Sequence, residues 1–246
     1  MSTASHHERA ASFGRGADVY QATRPSYPDE VVRWCVPDDA QDVLDLAAGT
    51  GKLTQRLVAL GLHTIAVEPS DGMRRQLVHT VPDADARPGD AEHTGLPDAS
   101  VDAVTVATAW HWFDEAAASA EIARVLRPGG QVAVVWNIRD DDVDWVAQFV
   151  EISTRGDELA TRRDEPSLGP AFTVPEHATF RWSQPIRTAD LRALAASRSH
   201  LLTLPEVERD ALLDEIDHLA AAHPDLRGRD EVPMPYRTEA WRARLR

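Results

Sequence analysis

The chain has 246 residues, 43% of them hydrophobic and 27% charged, which supports a sizeable buried core and excludes global disorder. Forty Asp and Glu against 26 Lys and Arg leave a formal charge of −14. Such a surface repels phosphate backbones and anionic lipids, so nucleic-acid and membrane partners are disfavoured. The single cysteine, Cys35, excludes an intrachain disulfide framework and a Cys-only zinc site, and no metal centre is expected. No apolar run approaches the roughly 20 residues that cross a bilayer, and Met1 to Ala10 lacks an apolar signal core. These features predict a soluble, cytoplasmic, single-domain protein spanning residues 1–246.

Residues 1–12 are polar and read as a frayed tail. From Asp42 onward, short apolar runs alternate with helical patterns, the signature of a parallel sheet covered by helices on both faces. Val43 to Ala47 reads as the first strand. Leu53, Leu57 and Leu60 follow at helical spacing, with Gly61 placed to end that helix. His63 to Glu68 is the second strand, and Ser70 is the N-cap of the next helix with Asp71 at its positive end. Further strands fall at Ala84 to Arg87, Asp102 to Thr108 and Gln131 to Asn137. A helix over Glu115 to Leu126 stops at Pro128-Gly129-Gly130. This succession is that of an α/β, doubly wound sheet.

The second half is less regular. Val143 to Glu158 reads as a helix, Thr161 to Glu176 as a loop, Thr179 to Arg187 as a strand, and Thr188 to Ser199 and Glu206 to Ala222 as helices. Glu231 to Trp241 is a candidate last strand, whose start Pro233 and Pro235 would confine to an edge. The resulting organisation is an N-terminal lid (13–30), a core (42–137), an irregular helical insert (138–205) and a closing helix and strand (206–246).

The most informative stretch is Val43-Leu44-Asp45-Leu46-Ala47-Ala48-Gly49-Thr50-Gly51-Lys52-Leu53. A strand ends in an acid, and a turn of small residues opens a helix, so backbone can approach a ligand closely. A phosphate-binding P-loop fails on spacing, because Leu46 stands at its first glycine and Leu53 follows the lysine. A dinucleotide fingerprint fits poorly, with Thr54 at its third glycine. A tight turn with no ligand is the plain alternative. Two more acids weigh against it: Glu68 ends the second strand 23 residues after Asp45, and Asp90 follows the third. Ligands of open α/β sheets bind at such strand ends.

The pattern acid-x-small-x-Gly-x-Gly, filled by Asp45, Ala47, Gly49 and Gly51, resembles the class I S-adenosylmethionine-dependent methyltransferases. Tyr20-Gln21-Ala22-Thr23-Arg24-Pro25-Ser26-Tyr27-Pro28 and Thr108-Ala109-Trp110-His111-Trp112-Phe113 are similar to segments of that family's small-molecule, trans-aconitate methyltransferase-like group. The resemblance implies a Rossmann-like, seven-stranded, mostly parallel sheet and S-adenosyl-L-methionine as cofactor. It implies a cofactor site of Tyr20, Arg24, Asp45, Ala47, Gly49, Thr50, Gly51, Glu68, Asp90, Ala91, Ala107 and Thr108. In that site Glu68 would accept the ribose hydroxyls, Asp90 and Ala91 would meet the adenine, and Tyr20 and Arg24 would act from the lid. Ala47 departs from the glycine many relatives carry, a difference of little more than room.

Methyl transfer needs alignment of nucleophile and methyl, and a base only where the nucleophile carries a proton. His111 is the candidate base, or else a ring that braces the loop. Trp110, Trp112 and Trp136 lie near the ends of the two central strands, where aromatic faces serve either a pocket or the core. The expected pocket is bounded by the His111 turn, Trp136 and the insert. Ser197-Arg198-Ser199-His200 reads as an anion site or a solvated helix end, and Asp140-Asp141-Asp142 as a solvated run. The expected reaction is methylation of a small molecule, on oxygen of a carboxylate, phenol or alcohol, by a monomer or homodimer. C- or N-methylation, a non-catalytic S-adenosylmethionine-binding module and a nicotinamide-dependent reductase are the competing readings.

Overall fold

The computed structural model describes residues 24–157 and 165–246. Seven strands form one sheet: β1 (Asp42–Leu46), β2 (His63–Val67), β3 (Asp85–Arg87), β4 (Val101–Ala107), β5 (Leu126–Arg139), β6 (Glu176–Arg187) and β7 (Glu231–Arg244). Their order is β3-β2-β1-β4-β5-β7-β6, and β1 to β5 pair in parallel. β7 runs against β5, because Leu245 N–H donates to Gly130 and Asp140 N–H to Pro235: one index rises as the other falls. β1 and β4 are adjacent although β2 and β3 intervene in sequence, so the chain reverses its winding there. That reversal opens the crevice used by ligands of doubly wound sheets.

The helices are α1 (Asp29–Cys35), α2 (Lys52–Ala59), α3 (Asp71–Thr80), α4 (Glu115–Val125), α5 (Asp144–Thr154), α6 (Leu191–Ala196), α7 (Ser199–Thr203) and α8 (Glu206–Ala222). The caps follow the sequence: Gly61 takes φ +83° just past α2, and Ser70 Oγ accepts from Met73 N–H at the start of α3. α1 has no counterpart among the predicted elements. Its seven residues, about two turns, bury Val31, Val32 and Cys35, too short a pattern to reveal a period. The helix expected over Thr188 to Ser199 is broken into a 3₁₀ turn (Thr188–Asp190), α6 and then α7. Ser197 Oγ donates to Leu194 C=O at 2.8 Å, a local bond that competes with continuation of the helix.

β7 as a whole lies between β5 and β6, but its start, with Pro233, runs past Arg139, where β5 ends. Pro235 lacks an N–H but keeps its carbonyl, which accepts from Asp140. The proline in an edge strand is Pro185, in β6.

The chain divides into two compact units. Of the described residues the sheet unit comprises 26–137, 165–180 and 238–246. Tyr27, Val31, Val32 and Cys35 pack there with Val43, Leu53, Leu57, Ala133 and Val135 on one face of the sheet. Of the described residues the second unit comprises 138–157 and 181–237, with Arg24 and Pro25. Phe149, Leu191, Leu194, Ile216, Met234 and Tyr236 belong to its core. No helix among the described residues is long and apolar enough to cross a membrane.

Candidate functional site

β1 and β4 end on two residues that non-glycine side chains rarely tolerate. Ala47 holds φ +55° immediately after β1, and Thr108 holds φ +57° immediately after β4. Left-handed backbone at a β-branched residue is an outlier that costs on the order of 1–3 kcal/mol and clusters at functional sites. Both residues sit at the winding reversal. Thr108 is fixed by its N–H to Val135 C=O at 2.7 Å, and its hydroxyl lies 3.3 Å from that of Tyr27.

Between β1 and α2 the loop turns on Gly49 (φ +60°) and Gly51 (φ +87°). A side chain at Gly49 would meet no atom within 4 Å, so the backbone borders open space on that side. A Cβ at Gly51 would come within 3.1 Å of Leu77 and Val81, which packs this end of the loop against α3.

The three acids behave differently. Asp45 is 1% exposed and accepts hydrogen bonds from Thr54 Oγ1 at 2.6 Å and Thr105 Oγ1 at 3.2 Å. Burial is the largest influence on it and pushes its pKa up to about 7, the two hydroxyls opposing. Glu68 is 6% exposed and accepts from Gly49 N–H at 2.9 Å and Ser70 N–H at 2.8 Å. Burial raises its pKa as well, against those two N–H groups and Arg74. Glu68 therefore ties the glycine loop to the start of α3, and its charge is felt at Asp45. Two further acceptor positions remain on a carboxylate holding two donors. Asp90 is solvent-facing, with its Oδ1 3.2 Å from His93 Nδ1, while Ala91 next to it is buried.

His111 lies in a 3₁₀ turn, Trp110–Trp112, just beyond β4. Its ring is half-buried and rests on Trp112 with centroids 4.6 Å apart. Trp110 is a core residue, its Nε1 donating to Glu115 at 3.1 Å. Trp136 is also buried, edge-on to Trp241, and its Nε1–H has no hydrogen-bond partner among the described residues.

The sequence profile of the methyltransferase domain family matches residues 44–134, from β1 into β5. Over 244 residues the chain is 43% identical to an uncharacterized methyltransferase of Mycobacterium bovis, with 99% of each chain covered. The chain belongs to the class I S-adenosylmethionine-dependent methyltransferases. A solved Anaeromyxobacter dehalogenans structure, assigned to the type II methyltransferases, aligns with a TM-score of 0.62 at 26% identity, covering 91% of this chain and 97% of that one. The fold is shared with an N-methyltransferase of Haemonchus contortus solved with phosphomonomethylethanolamine and S-adenosylhomocysteine. There the TM-score is 0.54 at 17% identity, over 100% of this chain and 60% of that one.

In this methyltransferase Gly49 and Glu68 are joined directly, and Asp45 lies within their electrostatic reach. Tyr20 lies outside the described residues, as do His6, His7 and most of the predicted lid. Arg24 belongs to the second unit, where its Nη2 donates to Ser197 C=O at 3.1 Å. Two expected solvated stretches are partly buried. Ser197 and His200 are each 5% exposed, and His200 Nε2 lies 3.0 Å from Arg155 C=O. Asp140 is 7% exposed and bound to Arg181, so only the rest of its acidic run faces water. Among the described residues no cluster of three metal-ligating side chains occurs. Thr54, Thr105 and Tyr27, which hold Asp45 and approach Thr108, escape a linear reading because each acts across 9 to 81 residues.

Proposed function

We propose that this methyltransferase binds S-adenosyl-L-methionine at the ends of β1, β2 and β4 and methylates an oxygen of a small acidic or phenolic acceptor. One observation carries the cofactor reading: Gly49 N–H and Glu68 meet beside open space, flanked by the strained Ala47 and Thr108. Glu68 supplies the remaining acceptor positions for the ribose hydroxyls. Gly49, Thr50 and Gly51 supply close backbone, and Asp90 with the Ala91 N–H supplies the adenine contact. Ala107 and Thr108 border the same strand end. Tyr20 is the further contact expected from the N-terminal segment. The bound cofactor supplies an activated methyl group, and the chain's own residues align the acceptor and exclude water.

The small-molecule reading is supported by the formal charge of −14, which opposes polyanionic acceptors but not one small acid. With an alcohol or phenol, His111 takes the proton as the oxygen attacks; with a carboxylate, no base is needed. Incubation with methyl-labelled S-adenosylmethionine and a panel of small acids, phenols and amines, read by mass spectrometry, tests the assignment. A labelled ester or ether is expected. A product methylated on nitrogen or carbon, or no transfer to any acceptor, would overturn it.

A further inference from the structure

The second unit carries a buried polar group that its own fold leaves unused. Tyr236, in β7, is 2% exposed, and its hydroxyl has no hydrogen-bond partner among the described residues. Leaving a hydroxyl unpaired in the interior costs about 1–3 kcal/mol, so such a group in a native fold calls for an explanation. The ring itself is firmly placed. Trp182 stacks on it with centroids 4.9 Å apart and an interplanar angle of 23°.

The surroundings of the hydroxyl are cationic. The bond from Asp140 N–H to Pro235 C=O sets the antiparallel register of this part of β5 and β7, which puts Arg139 directly across from Tyr236. Side chains opposed in this way share a face, with Cβ atoms about 4.5–5.5 Å apart. Arg139 is 9% exposed, and its guanidinium lies 4.8 Å from the centre of the Phe149 ring, which keeps it inside the unit. Arg24, held on Ser197 C=O, is the other guanidinium whose charge acts on the phenol. An O–H donor beside two guanidinium groups is the donor set that a carboxylate recognises.

We infer that Tyr236, with Arg139 and Arg24, binds a carboxylate group of the methyl acceptor and selects for acids. This inference rests on the proposed methylation of a small acidic acceptor. The Tyr236 hydroxyl donates to one carboxylate oxygen, and the two guanidinium groups supply the compensating charge. Tyr236 acts as a specificity residue and takes no part in the transfer itself.

Calorimetry on the full chain tests it, with succinate and benzoate as probes, each titrated with and without saturating S-adenosylhomocysteine. Wild type is expected to bind at least one of them, Tyr236→Phe to bind it about tenfold or more weakly, and Arg139→Gln to lose it. S-adenosylhomocysteine affinity should be the same in wild type and Tyr236→Phe. Without ligand, Tyr236→Phe should melt no lower than wild type, and by relief of the unpaired hydroxyl about 2–4 °C higher. Equal carboxylate affinity in wild type and Tyr236→Phe, or no carboxylate binding to wild type, would overturn the inference. So would a Tyr236→Phe protein that melts lower. A fall in S-adenosylhomocysteine affinity alone would show that the group serves the cofactor's carboxylate instead. Failure of wild type to bind S-adenosylhomocysteine would strike the cofactor reading, while the titrations without it still decide this one.

Discussion

The two units hold their unfavourable features in different forms. In the sheet unit the backbone is strained: Ala47, Ala99 and Thr108, the non-glycine residues with positive φ among those described, all lie there, together with the buried Trp136 Nε1–H that has no partner among the described residues. Its buried acids, by contrast, are well supplied with donors, Asp45 by two hydroxyls and Glu68 by two N–H groups. In the second unit the described non-glycine backbone lies outside the left-handed region, and the Tyr236 hydroxyl, beside arginines, is a buried donor without a partner among the described residues. Strained backbone aims main-chain groups and fits a rigid ligand that is the same in every turnover. An unpaired donor beside arginines fits a variable ligand recognised by one functional group. On the proposed reading, the sheet unit holds the cofactor and the second unit selects the acid.

The largest effect that would sharpen this contrast is on turnover. With a phenolic or alcoholic acceptor, His111→Ala should lower the rate by roughly 10²–10⁴ while leaving S-adenosylhomocysteine affinity intact. With a carboxylate acceptor the same variant should keep most of its rate, and steady-state kinetics on the two substrate classes separates the cases.

Backbone substitutions come next. Gly51→Ala places a Cβ against Leu77 and Val81 at φ +87° and should destabilise the fold by about 1–3 kcal/mol in urea unfolding. Ala47→Gly should do the reverse. Relief of the left-handed alanine, partly offset by the freer unfolded chain, gives a gain of roughly 0.5–1 kcal/mol. A destabilised Ala47→Gly protein would break the claim that strain is held at this turn.

A further effect is a pH dependence. Asp45 has its pKa raised from the ordinary 3.8 to about 7, so between those values the folded chain holds a proton that the unfolded chain releases. Its share of stability is therefore full below about pH 4 and lost as pH rises through about 7. Paired carboxylates such as Glu121, held down at about 2 by Arg124, contribute in the opposite sense, so the comparison must be differential. The stability of wild type relative to Asp45→Asn should fall between pH 4 and 7. A difference that stays flat over that range would refute the buried, proton-holding acid.

Legibility followed the range of the interactions. The strand, acid, loop and helix around Asp45 could be read from the chain because each signal lies within a dozen residues: apolar run, small residues, then a 3.6-residue period. Glu68 was readable because the second parallel strand must end near the first. Arg139 and Tyr236 were not, since they meet only through an antiparallel register spanning 97 residues that no local pattern encodes. Pro233 and Pro235 constrain only the start of β7: a proline removes one donor, and whether that donor is needed depends on which neighbour the strand has at that point. The strain at Ala47 was equally hidden, because an alanine in place of a glycine looks harmless until its φ is known.

The central claim is that the end of β2 holds the cofactor through Glu68, and calorimetry with S-adenosylhomocysteine on wild type and Glu68→Ala tests it most directly. Loss of hydrogen bonds to a charged, buried acceptor should weaken binding by on the order of 1.5–3 kcal/mol, with circular dichroism and unfolding showing the variant folded. An affinity equal to that of wild type in a folded Glu68→Ala protein would contradict the account.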